Sequence, residues 1–246
     1  MNTLENQIVL VTGSNRGIGR GIIEELLNRN VSKVYACARN TESLTQLAQE
    51  NGGKLALITL DVTDEAQVAA AAAEASDVTL LINNAGLLAG GDIITGDLCA
   101  ARKEFEVNYW GPQLMTRAFA PILKANGGGG IINLSSVAGL SNFPALPTYS
   151  DSKAAIHSFT SACRLLLAAQ GTFVAGVYPG PVDTDMAKGI EMEKESVSVV
   201  AGKILDGFVN KVEDIFPDDF AAGYAEPYAA GHKALENNIA AMLQEG

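Results

Sequence analysis

The sequence predicts an α/β fold in which a parallel sheet is wound on both faces by helices. Three observations carry this. Apolar, β-branched runs of strand length alternate with segments of helical period, the pattern of βαβ units joined by right-handed crossovers. Most of the runs are apolar at successive positions, as strands covered on both faces are. No linker, charge block or repeat interrupts the alternation, so residues 1–246 read as one domain, although the length would also admit two small ones.

The elements follow in order. Residues 7–12, QIVLVT, form the first strand. Residues 13–19 are glycine-rich, and Ile18, Ile22 and Leu26 then recur at helical spacing. A second strand at 33–38 leads to a helix at 42–51 that stops at Gly52-Gly53. A third strand at 55–60 precedes an alanine-rich helix at 64–75, with Thr63 as its expected cap. The fourth strand, 79–82, runs into Asn83-Asn84-Ala85-Gly86. A long helical region at 98–125 follows, with a bend expected at Pro112. Four glycines at 127–130 end it and turn the chain into a fifth strand at 131–135. The helix from Tyr149 is expected to bury Ile156, Phe159, Cys163 and Leu166. A sixth strand, 173–178, ends at Pro179-Gly180-Pro181; then come a helix at 196–209, a short strand at 214–216 and a closing helix from Pro227.

Composition bounds the function. Apolar residues make up 48% of the chain, enough for a sizeable core, and the net charge is −11 with a pI near 4.6. A nucleic-acid or acidic-membrane surface needs a basic face, so neither partner is expected. Cys37, Cys99 and Cys163 are odd in number and far apart, without metal or redox spacing; they read as buried thiols in a reducing compartment. His157 and His232 are too few for a typical zinc site, and no metal is expected. Residues 1–6 lack a basic region followed by an apolar one, and no apolar run is long enough to cross a bilayer, which suggests a cytoplasmic protein.

The loop Gly13-Ser14-Asn15-Arg16-Gly17-Ile18-Gly19 lies between a strand and a helix, the context of a diphosphate-binding turn. Gly13 permits the tight turn, Gly17 lets a diphosphate approach the backbone, and Gly19 lets helix pack on strand. The helix N-terminus adds free N–H groups and positive potential. At the end of the second strand, where a carboxylate would hold a ribose 2′-OH, stands Arg39. Arg39 either receives a 2′-phosphate, with Arg16 beside it, or is simply solvated. Asp61, before Val62, either accepts from an adenine amine or caps a turn.

Residues 136–153, SVAGLSNFPALPTYSDSK, hold the chemistry. Tyr149 and Lys153 are one helical turn apart, and Ser136 ends an apolar strand nearby. A phenol, an ammonium and a hydroxyl together suggest proton transfer to or from an oxygen. The ammonium is expected to lower the phenol's pKa from its ordinary value near 10, and Ser136 to donate to the same substrate oxygen. With six tyrosines in 246 residues a Tyr-x-x-x-Lys pair alone is weak; its weight must come from the rest of the chain.

Taken together, these motifs resemble the classical short-chain dehydrogenases/reductases over nearly the whole chain. Gly13, Gly17 and Gly19 match that family's cofactor loop, Asp61-Val62 its adenine contact, and Asn84-Ala85-Gly86 the sheet motif beside the cofactor. Ser136, Tyr149 and Lys153 match its catalytic group, Asn108 its relay asparagine, and Pro179-Gly180 with Val182 and Thr184 the segment beside the nicotinamide. The resemblance implies a single-domain Rossmann-like fold, with a seven-stranded, mostly parallel sheet in the order 3-2-1-4-5-6-7. It implies an NADP-preferring member that moves hydride between NADP(H) and a small carbonyl or alcohol. Tyr149 would act as acid and base, Ser136 would orient the oxygen, and Lys153 would hold the nicotinamide ribose. A homo-oligomer is implied, a dimer first and a tetramer second, through helices that begin near Leu98 and Tyr149. The C-terminus departs from many acyl-carrier-protein reductases of the family, lacking their glycine-rich final strand.

Two other readings use the same residues. A sensor or scaffold that binds NADP(H) without efficient turnover could dispense with Ser136, Tyr149 and Lys153, and all three are intact. A dehalogenase on a related scaffold would replace the lysine by arginine and lose the cofactor glycines. The expected pocket wall comprises Leu87, Leu88, Leu140, Phe143, Leu146 and Met186, and residues 181–198 form either a lid or a surface loop.

Overall fold

Seven strands pair in the order β3-β2-β1-β4-β5-β6-β7. They are β1 (Ile8–Thr12), β2 (Lys33–Ala38), β3 (Leu55–Thr59), β4 (Leu80–Asn83), β5 (Gly130–Leu134), β6 (Phe173–Val177) and β7 (Asp214–Ile215). Every pairing is parallel. The computed structural model describes residues 4–245. Met1, Asn2 and Thr3, part of the segment read above as carrying no targeting signal, and Gly246 lie outside the described residues.

Helices α1 (Gly17–Asn28), α2 (Thr45–Glu50), α3 (Glu65–Glu74), α4 (Leu98–Phe105), α5 (Gly111–Ala125), α6 (Pro147–Leu167) and α7 (Val197–Val209) fill the crossovers. Alternation along the strands divides the core into two layers. Val9, Val11, Val34, Leu80, Ile82 and Ile132 face Ile22, Leu26, Ile204 and Leu205 of α1 and α7. Leu10, Tyr35, Cys37, Leu81 and Ile131 face Val68, Met115, Phe119 and Cys163 of α3, α5 and α6. Both faces are therefore covered, which is why the strands read as continuous apolar runs. No helix among the described residues is long and apolar enough to cross a membrane.

Several elements differ locally from the sequence expectation. The cap of α3 is Asp64, whose carboxylate accepts from the N–H groups of Ala66 and Gln67 at 2.9 and 3.1 Å; Thr63 instead donates to Asp61. The long helical region contains a π turn at Glu106–Trp110 between α4 and α5. Pro112 follows it in the first turn of α5. It lacks the N–H that would close on the carbonyl of Asn108, so the chain widens there. Helix α6 starts two residues earlier than expected, at Pro147. Its Leu166 is 78% exposed rather than buried, because the inward face is taken by Ile156, Thr160 and Cys163. Of the three thiols, Cys99 is exposed.

The closing helix is divided into α8 (Asp219–Ala222), α9 (Ala225–Ala230) and α10 (His232–Glu245). Gly231, at φ +105°, separates the last two. Tyr224, Leu235 and Ile239 pack on Tyr178, Val137 and Leu140, forming a third apolar cluster beyond the C-terminal ends of β5 and β6. This cluster closes one end of the cleft described next.

Candidate active site

The strand order reverses between β1 and β4, and a cleft opens at their C-terminal ends, where α/β sheets bind ligands. Three hydrogen-bonding devices hold its floor. Thr12 Oγ1 accepts from the N–H groups of Asn84 and Ala85, both at 3.0 Å. The Asn84 amide donates to the carbonyls of Thr12 and Gly13 at 2.8 and 3.0 Å. Ser14 Oγ donates to the Cys37 carbonyl at 3.1 Å, tying the glycine loop to β2. Gly13 stands at φ +63°, and a Cβ on it would lie 2.8 Å from Ala85 Cα, so the turn passes β4 only as glycine.

The cleft has a volume of about 920 Å³. One end is the glycine loop with Arg39, Asp61 and Val62; the other holds Ser136, Tyr149 and Lys153. Asn15, Arg16, Gly17, Ile18 and Gly19 line it, as do Asn84, Ala85 and Gly86, and Pro179, Gly180, Val182 and Thr184. Two expected contacts do not. Ser14 is fully buried beneath the loop, where its hydroxyl is turned to β2. Leu140 is buried in the C-terminal cluster instead of the pocket wall. Leu87, Leu88, Phe143, Leu146 and Met186 line the wall as expected, and Ile190, Met192 and Phe220 join them. The last comes from α8, which nothing in local sequence spacing would bring there.

The polar groups have specific partners. Lys153 is 4% exposed, and its ammonium donates to the Leu134 carbonyl at 2.8 Å. Its Nζ lies 5.6 Å from the centre of the Tyr149 ring. Ser136 Oγ donates to the Pro179 carbonyl at 3.3 Å and accepts from the Ala138 N–H at 3.2 Å. Asn108, in the π turn, accepts from the Leu87 N–H at 2.7 Å and donates to the Leu87 carbonyl at 2.8 Å and to Ser152 Oγ at 2.9 Å. Asp61 accepts from the backbone and hydroxyl of Thr63, so it caps a turn while lining the cleft.

Burial sets the titration of the central pair. It pushes the Tyr149 phenol up to about 12, with the Glu104 carboxylate adding to the rise and a Ser136 hydrogen bond opposing it. It lowers Lys153 to about 8. The expectation that Lys153 pulls the phenol below its ordinary value is therefore corrected. Desolvation disfavours the charged form of both groups, and the ammonium is engaged by a backbone carbonyl.

This geometry meets its counterpart in known proteins. The family model described as short chain dehydrogenase matches residues 7–195. The chain belongs to the short-chain dehydrogenase family. A short-chain dehydrogenase from Burkholderia cenocepacia J2315, solved in complex with NADP, is 37% identical, with a TM-score of 0.90 over 96% of this chain and 98% of that one. An NADPH-bound carbonyl reductase from chicken fatty liver is 32% identical, with a TM-score of 0.78 over 84% of this chain and 92% of that one. The short-chain dehydrogenase ptmH of Penicillium ochrochloron is 37% identical over 74% of this chain and 68% of its own length. As a short-chain dehydrogenase the protein is an oxidoreductase. Glu104 is the site-side residue that sequence reasoning missed, since a lone glutamate on a helix gives no signal of burial.

Proposed function

We propose that the protein is an NADPH-dependent carbonyl reductase and alcohol dehydrogenase acting on small, apolar carbonyl compounds. The observation that carries this is one cleft with a dinucleotide-sized glycine loop at one end and Tyr149, Lys153 and Ser136 at the other. The cleft fits a nicotinamide dinucleotide by its own construction. The turn at Gly13 excludes a side chain, and Arg39 and Arg16 are exposed beside it with no carboxylate in the Arg39 position. Residues 13 and 15–19 would hold the diphosphate, Arg39 and Arg16 a 2′-phosphate, Asp61 and Val62 the adenine end, and Asn84, Ala85, Gly86, Pro179, Gly180, Val182 and Thr184 the nicotinamide half. Residues 1–246 act as one domain in this reading, in a reducing compartment such as the cytoplasm.

NADPH, when bound there, would supply the hydride for the carbonyl carbon. Tyr149 gives its phenolic proton to the carbonyl oxygen; burial keeps the phenol protonated at neutral pH, and the alkoxide that forms on the oxygen is the stronger base that takes the proton. Lys153, buried close to the ring, would hold the nicotinamide ribose. Ser136 turns its hydroxyl from the Pro179 carbonyl to the substrate oxygen. Asn108 anchors both Leu87 of the wall and α6 through Ser152. In the reverse direction the same groups take the proton back.

Apart from Lys153, whose ammonium donates to the Leu134 carbonyl, the substrate end of the wall is aliphatic, aromatic and thioether, and its other charged members, Asp185 and Glu191, are acidic. Among the described residues no second cation lines that end to pair with a substrate carboxylate. An NADPH-oxidation screen over aldehydes, ketones, quinones and short keto acids tests the reading. Hydrophobic aldehydes or ketones are expected to give the higher kcat/KM. A ranking led by short keto acids would overturn the substrate class, and tight NADPH binding without turnover on any carbonyl would favour a sensor.

A further inference from the structure

Glu104 is a carboxylate with no exposure at all, on the helix that ends beside the site. Such a group persists only with compensating hydrogen bonds, and it has three. One oxygen accepts from the Ala89 and Gly90 N–H groups at 2.8 and 3.3 Å. The other accepts from Thr148 Oγ1 at 2.6 Å. Thr148 immediately precedes Tyr149, and residues 87–90 continue from the wall residues Leu87 and Leu88.

The arrangement repeats that of Asn108, four residues on. Asn108 grips Leu87 and reaches Ser152; Glu104 grips Ala89 and Gly90 and reaches Thr148, four residues before Ser152. The two helices are thus joined by two rungs, and each rung also holds a part of the same loop. The loop is close-packed at the Glu104 rung: a Cβ on Gly91 would lie 2.8 Å from Thr148 Oγ1. Resting on the oxidoreductase reading above, we infer that Glu104 is a positioning residue, clamping the 87–91 loop to Thr148 and so fixing Tyr149 against the substrate wall.

The carboxylate also places a negative charge near the phenol and disfavours the phenolate. Other charged groups face Tyr149 from few directions. Lys153 stands on the same helix, and Asp185 and Glu191 of the 181–198 segment line the cleft. The 84–91 loop and the 135–140 turn bring no titratable side chain.

Two arms test the charge and the clamp. In Glu104→Gln the amide oxygen can still accept from the loop while its NH2 donates to Thr148 Oγ1, so the rung keeps its shape, reverses one bond and loses its charge. The Tyr149 phenol, followed as the ultraviolet difference against the same protein carrying Tyr149→Phe, is expected to titrate at lower pH. An unmoved titration would remove the charge effect alone; the clamp is decided by the second arm. In Thr148→Val the rung is cut at constant volume. Its kcat is expected to fall about 10-fold or more while the KM for NADPH stays within about 2-fold, and Thr148→Ser should restore kcat. Wild-type kcat in Thr148→Val would overturn the clamp. If the unaltered protein reduces no carbonyl, the proposed activity fails, and amide hydrogen exchange still decides the clamp: exchange at Ala89 and Gly90 should quicken in Thr148→Val and recover in Thr148→Ser, and unchanged exchange would overturn it.

Discussion

Tyr149 joins the chemistry to the sequence most directly. Its spacing from Lys153 and the strand end at Ser136 were legible because helix and strand geometry alone bring such residues together. Their titration was not. It depends on burial and on the Leu134 carbonyl that takes the ammonium, neither of which residue spacing reveals. Tyr149→Phe keeps the ring and removes the proton donor, so kcat should drop by at least ~10²-fold, the scale of a lost acid–base group. NADPH affinity, measured by fluorescence titration, should stay near that of the unaltered protein; retained turnover would remove Tyr149 from the mechanism. Cofactor choice is the second prediction at this scale. Arg39 is exposed at the end of β2, and Arg16 is paired only loosely with Asp185, at 3.7 Å and largely in solvent. Exposed pairs of this kind contribute little, so Arg16 can turn to a phosphate. Charge-assisted bonds to a 2′-phosphate contribute roughly 1.5–3 kcal/mol each when formed, less with solvent exposure. A preference for NADPH over NADH of ~10²-fold is expected. Arg39→Asp should remove it by weakening NADPH while sparing NADH, and an unchanged NADPH affinity would show Arg39 to be merely solvated.

At the scale of elements, strands were more legible than helix ends. A strand covered on both faces leaves an apolar run that needs no partner to be recognised, whereas a cap is decided by which of two neighbouring oxygens turns inward. Thr63 and Asp64 are both capable caps. The backbone gives the role to Asp64, and Thr63 serves the Asp61 turn. Asp64→Ala is therefore expected to lower the midpoint of chemical denaturation; an unchanged midpoint would return the capping role elsewhere. The π turn at Glu106–Trp110 was also hidden. Pro112 signalled a disturbance, but not that it would be absorbed as a widened turn placing Asn108 between the 84–91 loop and α6. The clamp by Glu104 depends on the same local path. Its buried carboxylate looked like any surface glutamate in the sequence, because burial there arises from three segments meeting.

For the molecule as a whole, the alternation implied a parallel sheet, the family resemblance alone implied the strand order, and all seven strands stand in that order. The C-terminal part was less legible. α8, α9 and α10 owe their places to packing on Tyr178 and Val137 rather than to any pattern of their own. Assembly is the remaining property at this scale. Helices α4, α5 and α6 pack together on one side of the sheet. They leave Leu98 60%, Trp110 45%, Leu165 81% and Leu166 78% exposed. Leu165 and Leu166 are adjacent near the end of α6, and we propose that a second copy of the chain covers them as a homodimer. Each copy carries a charge of −11, so approach is opposed by repulsion that salt screens. The dimer should therefore tighten as sodium chloride rises, opposite to an interface held by ion pairs. Light scattering at micromolar concentration is expected to give twice the 25.7 kDa chain mass. Leu165→Glu with Leu166→Glu should shift it toward one chain. A single chain mass for the unaltered protein at both low and high salt would reject the dimer.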